Sequence, residues 1–272
     1  MQLLTFPLAL PGSAPNAHLT VYLQDTPAGL MVQTRPLVLV CPGGGYSMVS
    51  ARESELLAMP FLTMGCHAAV LTYSVAPARW PAALTELAHS VALVRAKAGE
   101  WGVDPARLFV LGCSAGGHLA ACLGVFWHQP WLAQAVGAAD VQTLRPTGLI
   151  LCYPVITSGE HRNIGSLEAL LGDAPDPALW RMLSLETQVT AQTPPSFVWH
   201  TFDDACVPAE NALLWATACK AANVNCELHL YRHGAHGLSR CNRQTAGADG
   251  YGLEPACESW LPLAQTWLES FA

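Results

Sequence analysis

Residues 112 to 116 read Gly112-Cys113-Ser114-Ala115-Gly116, a serine framed by small residues. The preceding run, Arg107-Leu108-Phe109-Val110-Leu111, has the apolar character of a buried strand, and Gly117-His118-Leu119-Ala120-Ala121-Cys122-Leu123 suits a helix. A GxSxG segment between strand and helix is a nucleophile elbow, a strained turn that presents the serine Oγ at the tip of a sheet. Small flanking residues are needed because neighbouring backbone approaches closely. A serine hydroxyl is a poor nucleophile until a base takes its proton, and the base needs an orienting carboxylate.

In this topology the chain order is serine, then acid, then histidine, each at the exit of a later strand. Ser196-Phe197-Val198-Trp199-His200 reads as a strand running into Thr201-Phe202-Asp203-Asp204-Ala205-Cys206-Val207-Pro208. Cys226 to Tyr231 reads as another, followed by Arg232-His233-Gly234-Ala235-His236-Gly237. The acid is therefore Asp203 or Asp204, and the unused one would cap the helix opening near Pro208. The base is His236 or His233. Glycines on both sides of Ala235-His236 suit a loop that carries an imidazole to Ser114, whereas His233 sits nearer the strand end. His118, His200 and His229 lie within apolar runs and read as satisfied core or surface histidines. The spacing of His229, His233 and His236 would suit a metal on a helix, but the segment reads as strand and loop, so no metal or cofactor is expected.

The remaining element is Pro42-Gly43-Gly44-Gly45-Tyr46, directly after the strand-like Leu37 to Cys41. Consecutive glycines leave backbone N–H groups unobstructed. Together with the Ala115 N–H, those of the glycine run would form an oxyanion hole. A phosphate loop is the competing reading. It fails because no Lys-Ser/Thr follows and the spacing is not G-x-G-x-x-G. Arg52 and Glu53, just downstream, would either position the loop through an ion pair or begin a solvated helix face.

The elements that must hold these groups alternate along the chain. Strand-like runs occur at Leu19 to Gln24, Pro36 to Cys41, Ala68 to Val75, Arg107 to Leu111, Gly148 to Tyr153, Ser196 to Thr201 and Cys226 to Tyr231. Between them, Leu84, Leu87, Ala88, Val91 and Val94 recur at the spacing of one buried helical face, with Pro81 suited to its first turn. Near-continuous apolar strands separated by helices predict an α/β fold whose mostly parallel sheet is covered on both faces. Residues 157–194 break the rhythm, with turn signals at Gly172-Asp173-Ala174-Pro175-Asp176-Pro177. They read as a short cap-like excursion over the active-site edge of a single domain, 1–272, being too short to bury a core of their own.

Composition agrees. Apolar residues make up 51% of the 272 and charged ones 12%, enough for a sizeable core. A net charge of −7 and only two lysines, Lys97 and Lys220, argue against nucleic acid or anionic lipid as partner. No apolar stretch reaches the roughly 18 residues of a membrane span. The first residues lack a basic region and are broken by Pro7 and Pro11, so a cytoplasmic location is expected. The ten cysteines, among them Cys41, Cys113, Cys122 and Cys152, read as reduced core residues.

The glycine tract with its tyrosine, the elbow continuing Gly117-His118-Leu119-Ala120, and the C-terminal acid and histidine resemble the α/β-hydrolase superfamily. More narrowly they resemble its small esterases of the acetyl xylan esterase and feruloyl esterase type. Cys41 to Tyr46, Ala69 to Val75, Ser184 to Thr190 with Thr193-Pro194-Pro195, His200 to Pro208, and Gly234 to Leu238 all fit that group. The resemblance implies an α/β-hydrolase fold with Ser114 as nucleophile, Asp204 as orienting acid (three residues before Val207) and His236 as base. It implies Gly44, Gly45 and Ala115 as oxyanion donors. Pro42 departs from the histidine that the wider hormone-sensitive-lipase group has before its glycines, so that group's substrate range is not borrowed.

The function implied is a serine carboxylesterase whose small-molecule substrate is an acylated, above all acetylated, sugar. Tyr46 would then line the acyl pocket, and Trp180 would stack on a sugar ring or else anchor the excursion. Two other classes share the triad or the fold: an amidase, formamidase or peptidase, and an inactive hydrolase-fold binding protein. A peptidase of this kind normally carries an additional domain, and an intact serine, acid and histidine set speaks against an inactive protein.

Overall fold

The computed structural model describes residues 1–173 and 176–272. In chain order its elements are β1 (Gln2–Pro7), β2 (His18–Leu23), β3 (Arg35–Cys41), α1 (Glu55–Thr63), β4 (His67–Thr72), α2 (Ala82–Ala96), α3 (Ala98–Trp101), β5 (Val103–Cys113) and α4 (Ala115–Phe126). There follow α5 (Pro130–Val136), β6 (Gly148–Cys152), α6 (Ile164–Leu171), α7 (Pro177–Met182), β7 (Ser196–Thr201), α8 (Glu210–Ala221), β8 (Cys226–Tyr231) and α9 (Trp260–Glu269). The strands form one sheet in the order β1-β2-β4-β3-β5-β6-β7-β8. From β4 to β8 the neighbours are parallel, while β1 and β2 add an antiparallel edge. This is the α/β-hydrolase fold.

Alternate strand residues feed two separate cores, as a two-per-turn side-chain period requires. Leu37, Leu39 and Cys41 of β3 join Leu84, Leu87, Ala88 and Val91 of α2 and Trp215 of α8 on one face. Val38 and Val40 join Phe61 of α1 and Trp260 and Trp267 of α9 on the other. There Trp199 of β7 stacks on Trp260, ring centroids 5.3 Å apart. The expected helical face of α2, from Leu84 to Val94, is fully buried, with Pro81 as the residue before its first turn.

The strands depart from expectation most at β1, β4 and β5. Strand β1 was not legible, because an edge strand with most of its residues exposed carries no clean apolar alternation. Strand β4 stops at Thr72 rather than Val75. There the chain leaves the sheet, and the buried Glu86 carboxylate takes the Ser74 N–H at 2.7 Å. Strand β5 begins at Val103, ahead of the expected Arg107, and keeps pairing with β3 across a register shift between Arg35 and Leu37.

The connection from β6 to β7 carries α6, α7 and a 3-10 turn at Leu185–Thr187. Asn163 and Asp176 cap α6 and α7 by accepting the N–H groups of Ser166 and Ala178. Ala174 and Pro175 of the expected turn lie outside the described residues. The ten cysteines are free, but Cys206 is exposed and so is not a core residue. Among the described residues no helix is long and apolar enough to cross a membrane.

Candidate active site

Ser114 stands between β5 and α4 with φ 55° and ψ −119°, a conformation that an L residue keeps only when its surroundings impose it. The imposition is visible in its neighbours. A Cβ on Gly116 would sit 2.1 Å from the Cys41 carbonyl oxygen, so α4 presses directly against the end of β3. The Ser114 N–H donates to the Cys152 carbonyl, and its own carbonyl accepts from His118 and Val155. The backbone is thereby fixed, and Oγ lies 2.7 Å from His236 Nε2.

His236 hangs in the loop after β8. Its Nδ1 lies 2.6 Å from Asp204 Oδ2, so in the neutral ring Nδ1–H donates to the carboxylate and Nε2 accepts from Ser114. The ring packs edge-on against Tyr153, centroids 5.3 Å apart, and the Tyr251 hydroxyl donates to the His236 carbonyl. Asp204 is buried. Its Oδ1 accepts the N–H groups of Cys206 and Val207, both at 2.9 Å. Burial alone would raise its pKa, but the hydrogen bonds from His200, His236 and Val207 outweigh that and hold it well below the carboxylate range.

His200 is thus more than a satisfied core histidine. Its Nε2–H donates to the Val207 carbonyl at 2.9 Å and lies 3.4 Å from Asp204 Oδ2. The alternatives left open by the sequence pair with one another: Asp203 takes His233 Nδ1 at 2.9 Å and the Gly234 N–H at 2.8 Å. Asp203 therefore does not cap α8, whose first turn has no side-chain cap. His229 instead contacts Glu227, so the three spaced histidines each face a different carboxylate.

The glycine loop faces Ser114 across one cleft. Gly44, at φ +128°, turns the chain so that its carbonyl accepts from Ser47 and Met48, and a Cβ there would meet the Met48 carbonyl oxygen at 2.1 Å. The Gly44 and Gly45 N–H groups donate to no acceptor among the described residues. The Ala115 N–H, first in α4, has no intrahelical partner either. Three backbone donors are thus free beside the serine.

Glu53 was missed. It is 3% exposed, neither on a solvated face nor paired with Arg52. Its Oε2 accepts the Gly43 N–H at 2.8 Å and its Oε1 the Tyr153 O–H at 2.7 Å, and Tyr153 Oη in turn accepts the Ser239 N–H. Arg52 instead donates from Nε to the Thr245 carbonyl and lies over the Tyr251 ring.

One sequence assignment is corrected, and one open choice is narrowed. Tyr46 does not line an acyl pocket. It is 2% exposed and points into the core, where its hydroxyl donates to His118 Nδ1 at 3.0 Å. His118, fully buried, has its pKa pushed down to about 4 by desolvation. Trp180 is not a wall of the cleft; its indole N–H donates to the Ser158 carbonyl and ties α7 back to the start of the excursion. The cleft, of ≈ 270 Å³, is walled by Gly44, Gly45, Met48, Asn163 and Ser166 around Ser114 and His236, so the excursion contributes through α6. Such an arrangement can draw a proton from a serine, hold the resulting imidazolium against a carboxylate, and meet a developing oxyanion with preset amides.

The BD-FAE family model matches residues 21–218. Among curated proteins, endo-1,4-beta-xylanase B of Butyrivibrio fibrisolvens is 36% identical over 219 residues, covering 76% of this chain and 33% of that protein. The acetylxylan esterase of Xylanibacter ruminicola is 29% identical over 229 residues, 82% of this chain and 44% of that protein. The chain therefore spans between a third and a half of the length of these relatives. Among solved structures, an acetyl ester-xyloside bifunctional hydrolase from Caldicellulosiruptor lactoaceticus superposes with a TM-score of 0.83 at 38% identity, covering 97% of this chain and 91% of that one.

Proposed function

This chain belongs to the BD-FAE family of ester hydrolases, and we propose that it is a serine carboxylesterase that removes acetyl groups from short, soluble carbohydrate esters. The observation that carries the reading is the unbroken chain of contacts from Ser114 Oγ through His236 to Asp204 at the floor of an open cleft.

Ser114 Oγ attacks the ester carbonyl carbon while its proton passes to His236 Nε2. The buried Asp204 carboxylate stabilises the imidazolium, and the Gly44, Gly45 and Ala115 amides receive the oxyanion. His236 then returns the proton to the departing alcohol oxygen as the C–O bond breaks, leaving an acetyl-serine. Water enters, gives its proton to His236, and attacks the same carbon; His236 returns that proton to Ser114 Oγ as the C–O bond breaks and acetate leaves. Each oxyanion donor is worth about 3 kcal/mol in such reactions. The carbohydrate half of the proposal draws on the similarity to an acetylxylan esterase and an acetyl ester-xyloside hydrolase.

The test is acetate release from acetylated xylo-oligosaccharide, with Ser114→Ala as control. Release abolished by the substitution is the expected result. Turnover confined to a feruloyl ester or to N-formylkynurenine would move the activity to another substrate class.

A further inference from the structure

A tetrahedral carbon held by Ser114 Oγ carries an oxyanion, an acyl chain and the departing alcohol oxygen. Only the last must come within reach of His236 Nε2, because its C–O bond breaks as that proton arrives. Two adjoining cavities share His236, Cys206 and Tyr251 as walls. The smaller contains Ser114 and the glycine loop. The other, of ≈ 540 Å³, contains neither, and its remaining walls include Asp203, His233, Ala205 and Glu254. Resting on the esterase reading above, we propose that this second cavity binds the departing alcohol, and that it selects a hydroxyl-rich alcohol carrying no anionic group.

Its size and polarity fit a sugar ring. Of the described residues that line it, the charged or titratable ones are Asp203, Glu254, His233, His236, Cys206 and Tyr251, with no lysine or arginine among them. Arg52 belongs to the smaller cavity and lies against the Tyr251 ring, 5.4 Å from its centroid. Asp203 does not swing freely. His233 and the Gly234 N–H hold it, and the same two contacts, His233 first, lower its pKa. A carboxylate fixed in place accepts sugar hydroxyls at little ordering cost and repels a carboxylate on the substrate. The continuity of the cavity with His236 makes it the alcohol side; its two acids set the charge preference.

The test compares monoacetylated methyl xyloside with monoacetylated methyl glucuronide at pH 8 and low ionic strength. The wild-type protein is expected to favour the neutral ester by about tenfold in kcat/KM, with the ratio shrinking as salt is added. In Asp203→Asn/Glu254→Gln the ratio should fall towards one. Ala205→Phe, at an exposed wall position, should raise KM for the xyloside ester more than for 4-nitrophenyl acetate, whose leaving group needs no proton. Equal turnover of both sugar esters by the wild type, or a ratio that survives in the double variant, would overturn the subsite. Turnover of 4-nitrophenyl acetate alone would overturn the subsite and leave the esterase reading standing. No turnover of any of the three would overturn both.

Discussion

Glu53 Oε2 accepts the Gly43 N–H at 2.8 Å, so a buried carboxylate holds the start of the glycine loop. Through Tyr153 and Ser239 the same side chain reaches the loop that carries His236. An isosteric amide offers one acceptor where two are used, so in Glu53→Gln either Gly43 or Tyr153 would face a donor. The expected loss in kcat/KM is about 10- to 100-fold, matching the roughly 1.5–3 kcal/mol of a charge-assisted hydrogen bond. Affinity for phenylboronic acid, which forms a tetrahedral serine adduct, should fall in parallel. A loss of thermal stability with both quantities intact would make Glu53 merely structural.

Asp204→Asn should lower kcat about 10³- to 10⁴-fold. Its amide N–H would favour the wrong His236 tautomer, placing Nε2–H against Ser114 Oγ. Initial rates on 4-nitrophenyl acetate check this, and a variant within tenfold of wild type would move the orienting role elsewhere.

His118 gives a stability signature with a definite sign. Its folded pKa of about 4 lies below the ordinary histidine value, so between pH 6.5 and 4 the unfolded chain binds a proton that the folded chain refuses. The contribution is complete above about pH 6.5 and is lost as pH falls to about 4, amounting to about 3 kcal/mol. Urea unfolding at pH 7 and pH 4.5 should show a smaller pH-dependent loss in His118→Gln than in wild type. Identical pH dependence would contradict the burial argument.

Two glycines should respond oppositely to alanine. Gly116→Ala drives a methyl into the Cys41 and Pro42 carbonyls and should cost about 3 kcal/mol, or prevent folding. Gly165→Ala, in α6, meets nothing within 4 Å and should change stability by less than about 1 kcal/mol, in the stabilising direction. Melting temperatures measured side by side decide it.

Ser114, Asp204 and His236 were legible because each stands just beyond a strand whose apolar run announces itself. The choice of Asp204 over Asp203 came from the resemblance alone, since adjacent aspartates differ only in which way the turn points them. The partners of Glu53 escaped for a related reason: sequence spacing says nothing about a side chain that reaches across to a different loop. Tyr46 was misread because its left-handed backbone, φ 56°, sends the ring inward to Tyr73 and His118, a reversal that no local pattern records. Strand β1, at the opposite edge, lacks the two-sided burial that made its neighbours readable.

The strand that carries His236 is the last in the sheet, paired on one side only with β7, in a register that sets Thr201 opposite Tyr231. A slip of a single position there would displace the imidazole by about 3.3 Å, more than either hydrogen bond it makes can follow. Partial fraying of this border, with the interior layers still packed, would silence the serine first. Activity in this molecule is therefore a gauge of one outer margin of the sheet, and its decay in mild denaturant would mark the opening of that seam ahead of global melting.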